Sequence, residues 1–456
     1  MSMTQQATAR NPQLQQTGRT IVVGLGRTGL SCARYLHSRG LSFAITDSRQ
    51  SPPEAPALGQ FAPHAEVRFG GFDEALLEGA AEIVASPGVS LDEPFLKSGE
   101  LRGVPIIGDI ELFAREAKAP IAAVTGTNGK STVTTLVAKM AEVSGRRVLA
   151  GGNLGRPALD LLNAPVPELY VLELSSFQLD TTRSLRTAAA TVLNVTPDHM
   201  DRYETVHEYA MSKAHIYEQC AAAIVNLDDV AVRTMPTGAA RMIGFSLLKD
   251  PGADYYAIGV ATDVALMHAD ERLVLMSELK ITGLHNAANA LASLAMADAL
   301  GLPLESCVQA LREFSGLAHR SQWVADVAGV RYVDDSKGTN VGATLAAVAG
   351  MSGSLVLIAG GQGKGQDFGP LAAAFRDKVR HVVLLGQDAA QIGDVLTGVC
   401  TVQYAHDMSE AVRMAAKAAH AGETVLLSPA CASLDMFRDY AHRGDVFAAA
   451  VRELPS

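Results

Sequence analysis

The stretch that decides the fold of this chain is Val124-Thr125-Gly126-Thr127-Asn128-Gly129-Lys130-Ser131-Thr132. An apolar segment over residues 120–124 predicts a buried strand before it, and residues 133–144 predict a helix after it. A strand, a glycine loop, a lysine, a hydroxyl and a helix are typical of a phosphate-binding loop, because glycines let backbone N–H groups approach phosphate oxygens at a helix N-terminus. Lys130 would reach the outer phosphates and Ser131 would offer an oxygen to Mg²⁺. An ordinary glycine turn stays open as the alternative, since only two residues separate the two glycines where the common motif has four.

The composition describes a soluble globular protein of several domains. A chain of 456 residues is too long for one ordinary core, so we expect about three domains. The net charge of −10 argues against a general nucleic-acid surface. The five scattered cysteines form no CxxC pair, which argues against a zinc site and suits a reducing cytosol. Residues 1–18 are polar and glutamine-rich, so we expect a disordered leader. With no apolar run of membrane-spanning length, our default is a cytoplasmic monomer without a membrane partner.

A second glycine motif lies near the start of the chain. The strand 20–23 leads into Gly24-Leu25-Gly26-Arg27-Thr28-Gly29, a helix follows to about Arg39, and the next strand ends at Asp47. A G-x-G-x-x-G loop with an acid roughly 20 residues further on is typical of a Rossmann-like dinucleotide site. Taken alone, this pattern predicts NAD or FAD.

Strand candidates separated by helical patterns continue through the rest of the chain. They are residues 147–153, 169–173, 188–195, 330–333, 355–358, 382–385 and 425–427. This alternation predicts parallel sheets with crossover helices, and only residues 220–280 look richer in β-structure. We therefore predict an α/β protein of three domains: a Rossmann-like domain over 19–108, a central P-loop ATPase-like parallel sheet over 109–315 and a Rossmann-like domain over 316–456.

Polar residues follow two strands that we expect to neighbour the loop strand. Glu173 ends the strand 169–173, and Asp198 and His199 follow the strand 188–195. Ligands of open α/β sheets bind past the carboxyl ends of strands, so these residues can converge on the Lys130 loop and suggest a bound divalent cation. The alternative is that Glu173 is a solvated strand end and His199 a helix cap.

Other polar segments are less specific. Lys213 lies on a predicted helix and is, by pattern alone, an ordinary surface lysine. The loop 334–340 carries two acids, two hydroxyls, a lysine and an asparagine after a strand, and His319-Arg320 precedes it. Such a loop suits a small zwitterion or a nucleotide sugar, and a turn with a helix cap is the alternative.

Six motifs occur in one order along the chain, and together they resemble the Mur ligase family. They are Gly-Thr-Asn-Gly-Lys-Ser (126–131), Glu-Leu-Ser-Ser-Phe-Gln (173–178), Asp-His-Met-Asp-Arg-Tyr (198–203), His-Asn-x-x-Asn (285–289), Asp-Ser-Lys-x-Thr-Asn (335–340) and Ser-Pro-Ala-Cys-Ala-Ser-Leu-Asp (428–435). The match runs from about Thr20 to the C-terminus, and the family's short phosphate loop explains the unusual glycine spacing. The resemblance is closest to members that add D-glutamate to UDP-N-acetylmuramoyl-L-alanine.

The resemblance implies three ligand sites. The residues that match ATP contacts are Gly126, Thr127, Asn128, Gly129, Lys130, Ser131, Thr132, Asn286, Asn289, Arg320, Asp335 and Lys337. At the first glycine loop the resemblance implies that the ligand is the uridine diphosphate of the substrate and not NAD. The matching positions there are Gly26, Arg27, Thr28, Asp47, Arg49 and Ser86, and Asn153 and His199 match contacts to the acyl end of the substrate. D-Glutamate would meet Thr339, Lys364, Ser433, Leu434 and Tyr440. The family often has Phe at position 440, so the effect of this hydroxyl stays open.

The resemblance also gives Lys213 a role, because the matching lysine of the family is carbamylated. A carbamate presents oxygens, which a hard cation prefers, whereas an ammonium offers only donors. Glu173, His199 and carbamylated Lys213 would hold one Mg²⁺, and Ser131 with the β- and γ-phosphates would hold the other. The implied catalytic residues are Lys130, Asn153, Glu173, His199 and Lys213.

The implied reaction is amide synthesis in peptidoglycan precursor formation, driven by cleavage of ATP to ADP through an acyl phosphate. Both steps bring anions together, so the site needs dense positive charge. Three alternatives stay open: a sister ligase that adds diaminopimelate or lysine, a folylpolyglutamate synthase-like ligase, and a nucleotide-binding regulator without ligase activity. The sister ligase usually carries an Asp-Asn-Pro-Arg-like loop that this sequence lacks, and a regulator need not keep Glu173, His199 and Lys213.

Overall fold

The computed structural model describes residues 18–259, 264–281, 283–351 and 353–455. The leader predicted for residues 1–18 therefore lies outside the described residues, apart from Gly18. The described chain forms three sheets with helices between the strands, which confirms the predicted α/β class. Among the helices that the structure describes, none combines the length and the apolar character that crossing a membrane requires.

The first sheet is fully parallel. Its strands are β1 (Arg19–Val23), β2 (Phe43–Asp47), β3 (Glu66–Phe69), β4 (Ala80–Ala85) and β5 (Ile106–Ile107). The accompanying helices are α1 (Arg27–Ser38), α2 (Ala55–Phe61), α3 (Pro94–Leu101) and α4 (Asp109–Glu116). The strand order is β3-β2-β1-β4-β5. It reverses direction between β1 and β4, which is where open α/β sheets form a ligand crevice.

Two glycines shape the turn from β1 into α1. Gly24 has φ of +90°, in the left-handed region that favours glycine. A Cβ atom on Gly29 would lie 1.9 Å from the carbonyl oxygen of Gly24. The helix can therefore begin directly against the end of the strand only because position 29 has no side chain.

The second sheet has nine strands. They are β6 (Ile121–Thr125), β7 (Val148–Gly152), β8 (Leu169–Glu173), β9 (Ala189–Val192), β10 (Ala222–Asn226), β11 (Arg241–Ser246), β12 (Tyr255–Ile258), β13 (Ala265–His268) and β14 (Glu271–Leu275). Their order is β14-β13-β12-β11-β10-β9-β6-β8-β7. The helices of this part of the chain are α5 (Lys130–Val143), α6 (Ala158–Leu161), α7 (Ser176–Asp180), α8 (Val206–Ala214), α9 (Val230–Arg233), α10 (Leu284–Ala299) and α11 (Leu304–Glu313).

The centre of this sheet is parallel, as the sequence predicts, and its far edge is antiparallel. All five residues of β6 are buried between β8 and β9, as the apolar run predicts for a central parallel strand. At the far edge β13 runs antiparallel to both β12 and β14, within the stretch 220–280 that the sequence marks as richer in β-structure. Only two residues connect β13 to β14, and so short a connection can join only antiparallel strands.

The third sheet has six strands. They are β15 (Gln322–Val327), β16 (Val330–Asp334), β17 (Leu355–Ala359), β18 (Val379–Leu384), β19 (Thr401–Tyr404) and β20 (Thr424–Leu427). Their order is β15-β16-β20-β17-β18-β19, and the pairs are parallel except for the antiparallel edge pair of β15 with β16. The helices are α12 (Val341–Gly350), α13 (Gly369–Phe375), α14 (Ala389–Val395), α15 (Met408–Ala418) and α16 (Tyr440–Arg452). Neighbouring residues such as Leu357 and Ile358 enter different apolar clusters, so both faces of this sheet are buried.

By its contacts the chain separates into two compact units. The first unit contains the described residues up to Ala119 together with 151–166 and 174–186, and it carries the first sheet. The second unit contains 120–150, 167–173 and the chain from Thr187 onward, and it carries the third sheet and nearly all of the second.

Candidate active site

The first unit has a cavity of about 520 Å³ at the N-terminus of α1. It brings together all of the predicted UDP-substrate contacts of this unit, which are Gly26, Arg27, Thr28, Asp47, Arg49 and Ser86 for the uridine diphosphate and Asn153 for the acyl end. Ser86 donates from Oγ to the carbonyl oxygen of Gly24 at 2.9 Å. A cavity at a helix N-terminus with two arginines is suited to a diphosphate.

Asp47 organises the edge of this cavity. Its carboxylate accepts the backbone N–H of Leu25 at 2.7 Å and the Arg49 guanidinium at 2.6 and 2.8 Å. Burial acts to raise the pKa of Asp47, but the hydrogen bonds from Arg49 and Leu25 prevail and hold it at about 2. The acid is therefore ionised throughout the physiological range and fixes Arg49 beside the cavity.

In the second unit, the loop between β6 and α5 has the geometry of a phosphate cradle. Gly126 and Gly129 have φ of +144° and +84°, and α5 begins at Lys130. The ammonium of Lys130 donates to the carbonyl oxygens of Gly126 at 2.7 Å and of Thr127 at 2.8 Å. Burial lowers the pKa of Lys130, although nearby carboxylates raise it. Ser131 and Thr132 are buried in the first turn of the helix.

Asn194 supports this loop, and the sequence did not single it out as a site residue. Its Oδ1 accepts the backbone N–H of Asn128 at 2.8 Å, and its Nδ2 donates to the carbonyl oxygen of Asn128 at 3.1 Å. The available signal was its position two residues after β9, where side chains at the carboxyl end of a strand face the ligand crevice.

Three titratable residues, Glu173, Asp198 and His199, stand close to Lys130. Glu173 is buried at the end of β8, and the charges of Glu173 and Asp198 both raise the pKa of Lys130. His199 lies 3.8 Å from Asp198 and has φ of +58°, a left-handed conformation that is strained for a residue with a side chain. Burial lowers the pKa of His199 to about 4; Asp198 opposes this, while Lys364 and Lys130 add to it. The imidazole is therefore neutral at physiological pH.

Lys213 is buried, so the interpretation of it as a surface lysine is wrong. The side chain lies in the last turn of α8 with 1% exposure, and its Nζ lies 4.2 Å from the ring centroid of Tyr209. Its charge adds to the lowering of the His199 pKa. Tyr209 and Tyr217, one turn to either side, are also buried. A single polar position on a helix does not reveal this burial, because tertiary packing creates it.

A second and larger cavity, of about 970 Å³, opens beside the phosphate loop. It brings together eight of the predicted ATP contacts, namely Asn128, Gly129, Thr132, Asn286, Asn289, Arg320, Asp335 and Lys337. The other four, Gly126, Thr127, Lys130 and Ser131, belong to the adjoining loop and first helical turn rather than to the cavity lining. The sequence did not predict His285, Lys280, Trp323 and Arg331 as lining residues.

The titratable groups of this cavity are strongly affected by burial. Burial raises the pKa of Asp335 to about 7, although hydrogen bonds from Ser428 and Ser321 lower it. Burial, followed by the charges of Arg320 and Lys130, lowers the pKa of Lys337 to about 8. The ammonium of Lys337 stands 4.0 Å from the ring centroid of Tyr440. The net charge of the cavity therefore changes near neutral pH, as Asp335 and Lys337 gain or lose protons.

None of the five predicted D-glutamate contacts lines either of the two cavities described above. Lys364 forms an ion pair of 3.4 Å with Asp198, and Tyr440 stacks under Lys337. Thr339 is half-buried, Ser433 is buried and Leu434 is 68% exposed.

Asn340, which the sequence did not single out, connects the glutamate segments to the nucleotide loop. Its Nδ2 donates to Asp198 at 3.1 Å and to Oδ1 of Asn128 at 3.3 Å. Its own Oδ1 accepts the backbone N–H of Ala343 at 2.8 Å and so caps α12. One side chain therefore links the third sheet's first helix to two segments of the second sheet.

Three family models match the chain in succession. They describe the Mur ligase MurD-like N-terminal domain (residues 18–108), the Mur ligase middle domain (124–297) and the Mur ligase glutamate ligase domain (319–431). A UDP-N-acetylmuramoylalanine–D-glutamate ligase of Nitrosococcus oceani is 50% identical over 448 residues, which cover 98% of each chain. The enzyme of the same name from Pseudomonas aeruginosa is 50% identical over 441 residues, covering 95% of this chain and 98% of that one.

Solved structures support the fold at lower identity. UDP-N-acetylmuramate-alanine ligase from Thermotoga maritima superposes with a TM-score of 0.62 at 18% identity, covering 95% of this chain and 99% of that one. MurF from Acinetobacter baumannii gives a TM-score of 0.61 at 17% identity, covering 97% and 92%. Sequence identity near one half over almost the whole length of the chain leaves no doubt about descent: this chain belongs to the Mur ligase family.

Proposed function

We propose that this chain is an ATP-dependent ligase that joins D-glutamate to UDP-N-acetylmuramoyl-L-alanine in peptidoglycan precursor synthesis. The observation that carries the proposal is the phosphate loop at Lys130 with buried Glu173 and neutral His199 beside it, in a chain 50% identical over 98% of its length to a ligase of that name. The first-unit cavity with Arg27 and Arg49 takes the uridine diphosphate, and the larger cavity takes the nucleoside of ATP.

The donor set fits magnesium bound with ATP. The described residues contain no cluster of three or more His, Cys, Asp or Glu side chains suited to a metal, so the ions need other oxygens as well. We assign one ion to Glu173, His199 and a carbamate on Lys213, and the second to Ser131 with the ATP phosphates. A buried carboxylate, a neutral imidazole and a hydroxyl are suitable donors. When bound, the ions polarise phosphoryl oxygens.

The carbamate requires Lys213 to react as a neutral amine. Its nitrogen attacks the carbon of CO₂ and loses a proton, which leaves a carboxylate-like group in place of the ammonium. Burial favours this exchange only if a cation then neutralises the new negative charge, because an isolated buried charge is costly. The ammonium of Lys130 and a bound magnesium ion would both serve.

The proposed reaction has two steps. The substrate carboxylate attacks the γ-phosphorus of ATP, ADP leaves, and an acyl phosphate forms. The amine of D-glutamate then attacks the acyl carbon, phosphate leaves, and loss of a proton from nitrogen gives the amide. Lys130 stabilises the charge on the transferred phosphoryl group, Asn153 and His199 orient the acyl end, and Lys364, Thr339, Ser433, Leu434 and Tyr440 hold D-glutamate.

We keep three domains, 19–108, 109–315 and 316–456, as the proposed division; the three sheets begin and end within these limits. In this scheme the first domain binds the UDP substrate, and the second and third bind ATP and D-glutamate. The reaction takes place in the cytoplasm, where ATP is supplied, and the active species is a monomer.

The test is release of ADP and phosphate from MgATP in the presence of UDP-N-acetylmuramoyl-L-alanine. D-Glutamate, L-glutamate, diaminopimelate and L-lysine are compared as second substrates. We expect release that depends on D-glutamate alone. Release with another amino acid would move the chain to a sister ligase, and no release from folded protein that binds ATP would favour a regulatory role.

A further inference from the structure

We propose that Asp109 is a positioning residue for the UDP substrate and that it acts through the side-chain amide of Gln178. The inference rests on the proposed function, because it concerns the cavity that we assign to the uridine diphosphate. Neither residue was predicted as a site residue from the sequence.

Gln178 lines the 520 Å³ cavity together with Arg27 and Asn153, and its side chain is held at both ends. Its Nε2 donates to Asp109 at 3.0 Å from Oδ2 and 3.3 Å from Oδ1. Its Oε1 accepts the backbone N–H of Ser175 at 3.1 Å. The carboxylate therefore determines that the amide nitrogen faces α4 and the amide oxygen faces Ser175, and a reversed amide would place two acceptors against each other.

The segment that carries Gln178 has other anchors on α4. The backbone N–H of Gly108 donates to the carbonyl oxygen of Thr181 at 3.1 Å. Glu111 accepts the backbone N–H groups of Arg183 at 2.8 Å and Ser184 at 2.9 Å. These contacts persist when only the Asp109 side chain is removed. Truncation of Asp109 should consequently release the amide without displacing the segment.

Burial of the Asp109 carboxylate costs free energy, and a purely structural role does not explain that cost. The side chain is 2% exposed, and the groups that favour its ionised form are the Gln178 amide and backbone N–H groups of the first turn of α4. An ionised acid held by neutral donors contributes little to stability. Orientation of a substrate-facing amide is a function that a neutral apolar residue at position 109 could not supply.

Asp109 is also the acid of this region that titrates near neutrality. Burial raises its pKa to about 6, against the hydrogen bond from Gln178. The neighbouring titratable groups are Cys32 on α1, whose pKa burial raises well above its usual value, Asp160 on α6 and Glu111 on α4, and Asp47 lines the cavity. The hydrogen bonds to Glu111 and Asp47 hold their pKa values low. Below about pH 6, protonated Asp109 loses part of its capacity to accept from the amide.

The experiment compares wild type with Asp109→Ala, Asp109→Asn and the control Asp92→Ala, an acid of the same unit whose side chain is 82% exposed. Calorimetry gives the Kd for UDP-N-acetylmuramoyl-L-alanine without ATP, and steady-state assays give KM for each substrate and kcat. For Asp109→Ala we expect the Kd and KM of the UDP substrate to rise about tenfold, the effect of one lost hydrogen bond to a charged group. The KM values for ATP and D-glutamate and the kcat should stay within about twofold, and Asp92→Ala should match wild type.

The conservative variant supplies the second readout. Asparagine keeps one acceptor oxygen but does not titrate, so Asp109→Asn should bind nearly as well as wild type at pH 7.5 and lose the weakening that wild type shows as pH falls from 7 to 5. An unchanged Kd in Asp109→Ala, a uniform rise of all three KM values, or the same pH profile in Asp109→Asn and wild type would each overturn the inference. If Asp109→Ala does not fold, the pH comparison decides. Failure of wild type to bind the UDP substrate would instead contradict the proposed function, and this inference with it.

Discussion

The side chain of Asn194 is hydrogen-bonded twice to the main chain of Asn128, once as an acceptor at 2.8 Å and once as a donor at 3.1 Å. The pairing fixes the two peptide groups on either side of Asn128 in the loop before α5. It joins Asn194, two residues after β9, to the residue that precedes Gly129, and both asparagines line the 970 Å³ cavity.

Replacement of Asn194 by alanine should weaken nucleotide binding. Two hydrogen bonds of about 1 kcal/mol each are lost, so we expect the Kd for MgATP to rise by roughly tenfold to thirtyfold while the UDP-substrate Kd stays constant. Calorimetry with each ligand measures both. The matched control is Asn163→Ala at an exposed position, and an Asn194→Ala protein with wild-type MgATP affinity would contradict a role for Asn194 in supporting the loop.

Nucleotide binding should also depend on pH through Lys337. Its pKa is lowered to about 8, chiefly by burial, so the positive charge present at pH 7 is lost as pH rises toward 9. We expect the affinity for MgATP to fall by up to about tenfold between pH 7 and pH 9. In Lys337→Arg the guanidinium stays charged in this range, so its affinity should fall less than that of wild type, with the remaining decline due to ionisation of Asp335, whose pKa burial raises to about 7. An equal decline in the arginine variant would assign the titration to another group.

Lys213→Ala should abolish turnover while leaving the protein folded. The ammonium is buried against Tyr209, and in the proposed function its carbamate supplies oxygen ligands to magnesium. Acetate or formate in solution should restore part of the activity, because a small carboxylate can occupy the space of the missing carbamate. Lys213→Arg keeps a positive charge but cannot form the carbamate, so it should be inactive and not rescued. Normal turnover of Lys213→Ala would rule out the carbamate.

Two glycine-to-alanine variants of the first unit should change stability in opposite directions. In Gly29→Ala the new Cβ would lie 1.9 Å from the carbonyl oxygen of Gly24, and such overpacking costs roughly 1–3 kcal/mol. Gly59 lies within α2 with nothing within 4 Å of a new Cβ, so Gly59→Ala should stabilise by about 0.5–1 kcal/mol. Denaturant unfolding measures both, and a Gly29→Ala variant as stable as wild type would contradict the close approach of α1 to β1.

Local sequence was sufficient for the parts of the site built from one strand and the helix that follows it. The Lys130 loop and the Gly24 loop each lie within one such unit, so their glycines and hydroxyls and the presence of the following helix could be placed from the pattern, although α5 begins at Lys130 and not at residue 133. The end of β8 was likewise enough to place Glu173 at the carboxyl edge of the sheet.

Residues whose role depends on a distant partner could not be predicted in this way. Local sequence predicts that Lys213 is a surface lysine, because its burial is created by tertiary packing. Only the family resemblance gave it a function. Asn194 and Asn340 contact Asn128 from other parts of the chain. Asp109 at the start of α4 accepts a hydrogen bond from Gln178 on α7. Residues 220–280 could be predicted as rich in β-structure, but the direction of the edge strands could not, because such short strands carry little periodic signal.

The position of β6 between β8 and β9 has a thermodynamic consequence. The phosphate loop, Glu173 and Asn194 follow three strands that are neighbours in space but are separated in sequence by other elements, so no isolated segment of the chain contains the complete site. A nucleotide that binds there binds the paired sheet and not the unfolded chain. At a concentration one hundred times its Kd, such a ligand would add about 2.7 kcal/mol to the free energy of unfolding. Binding of ATP would then stabilise the folded second unit. The ATP concentration would help to determine the temperature at which that unit unfolds.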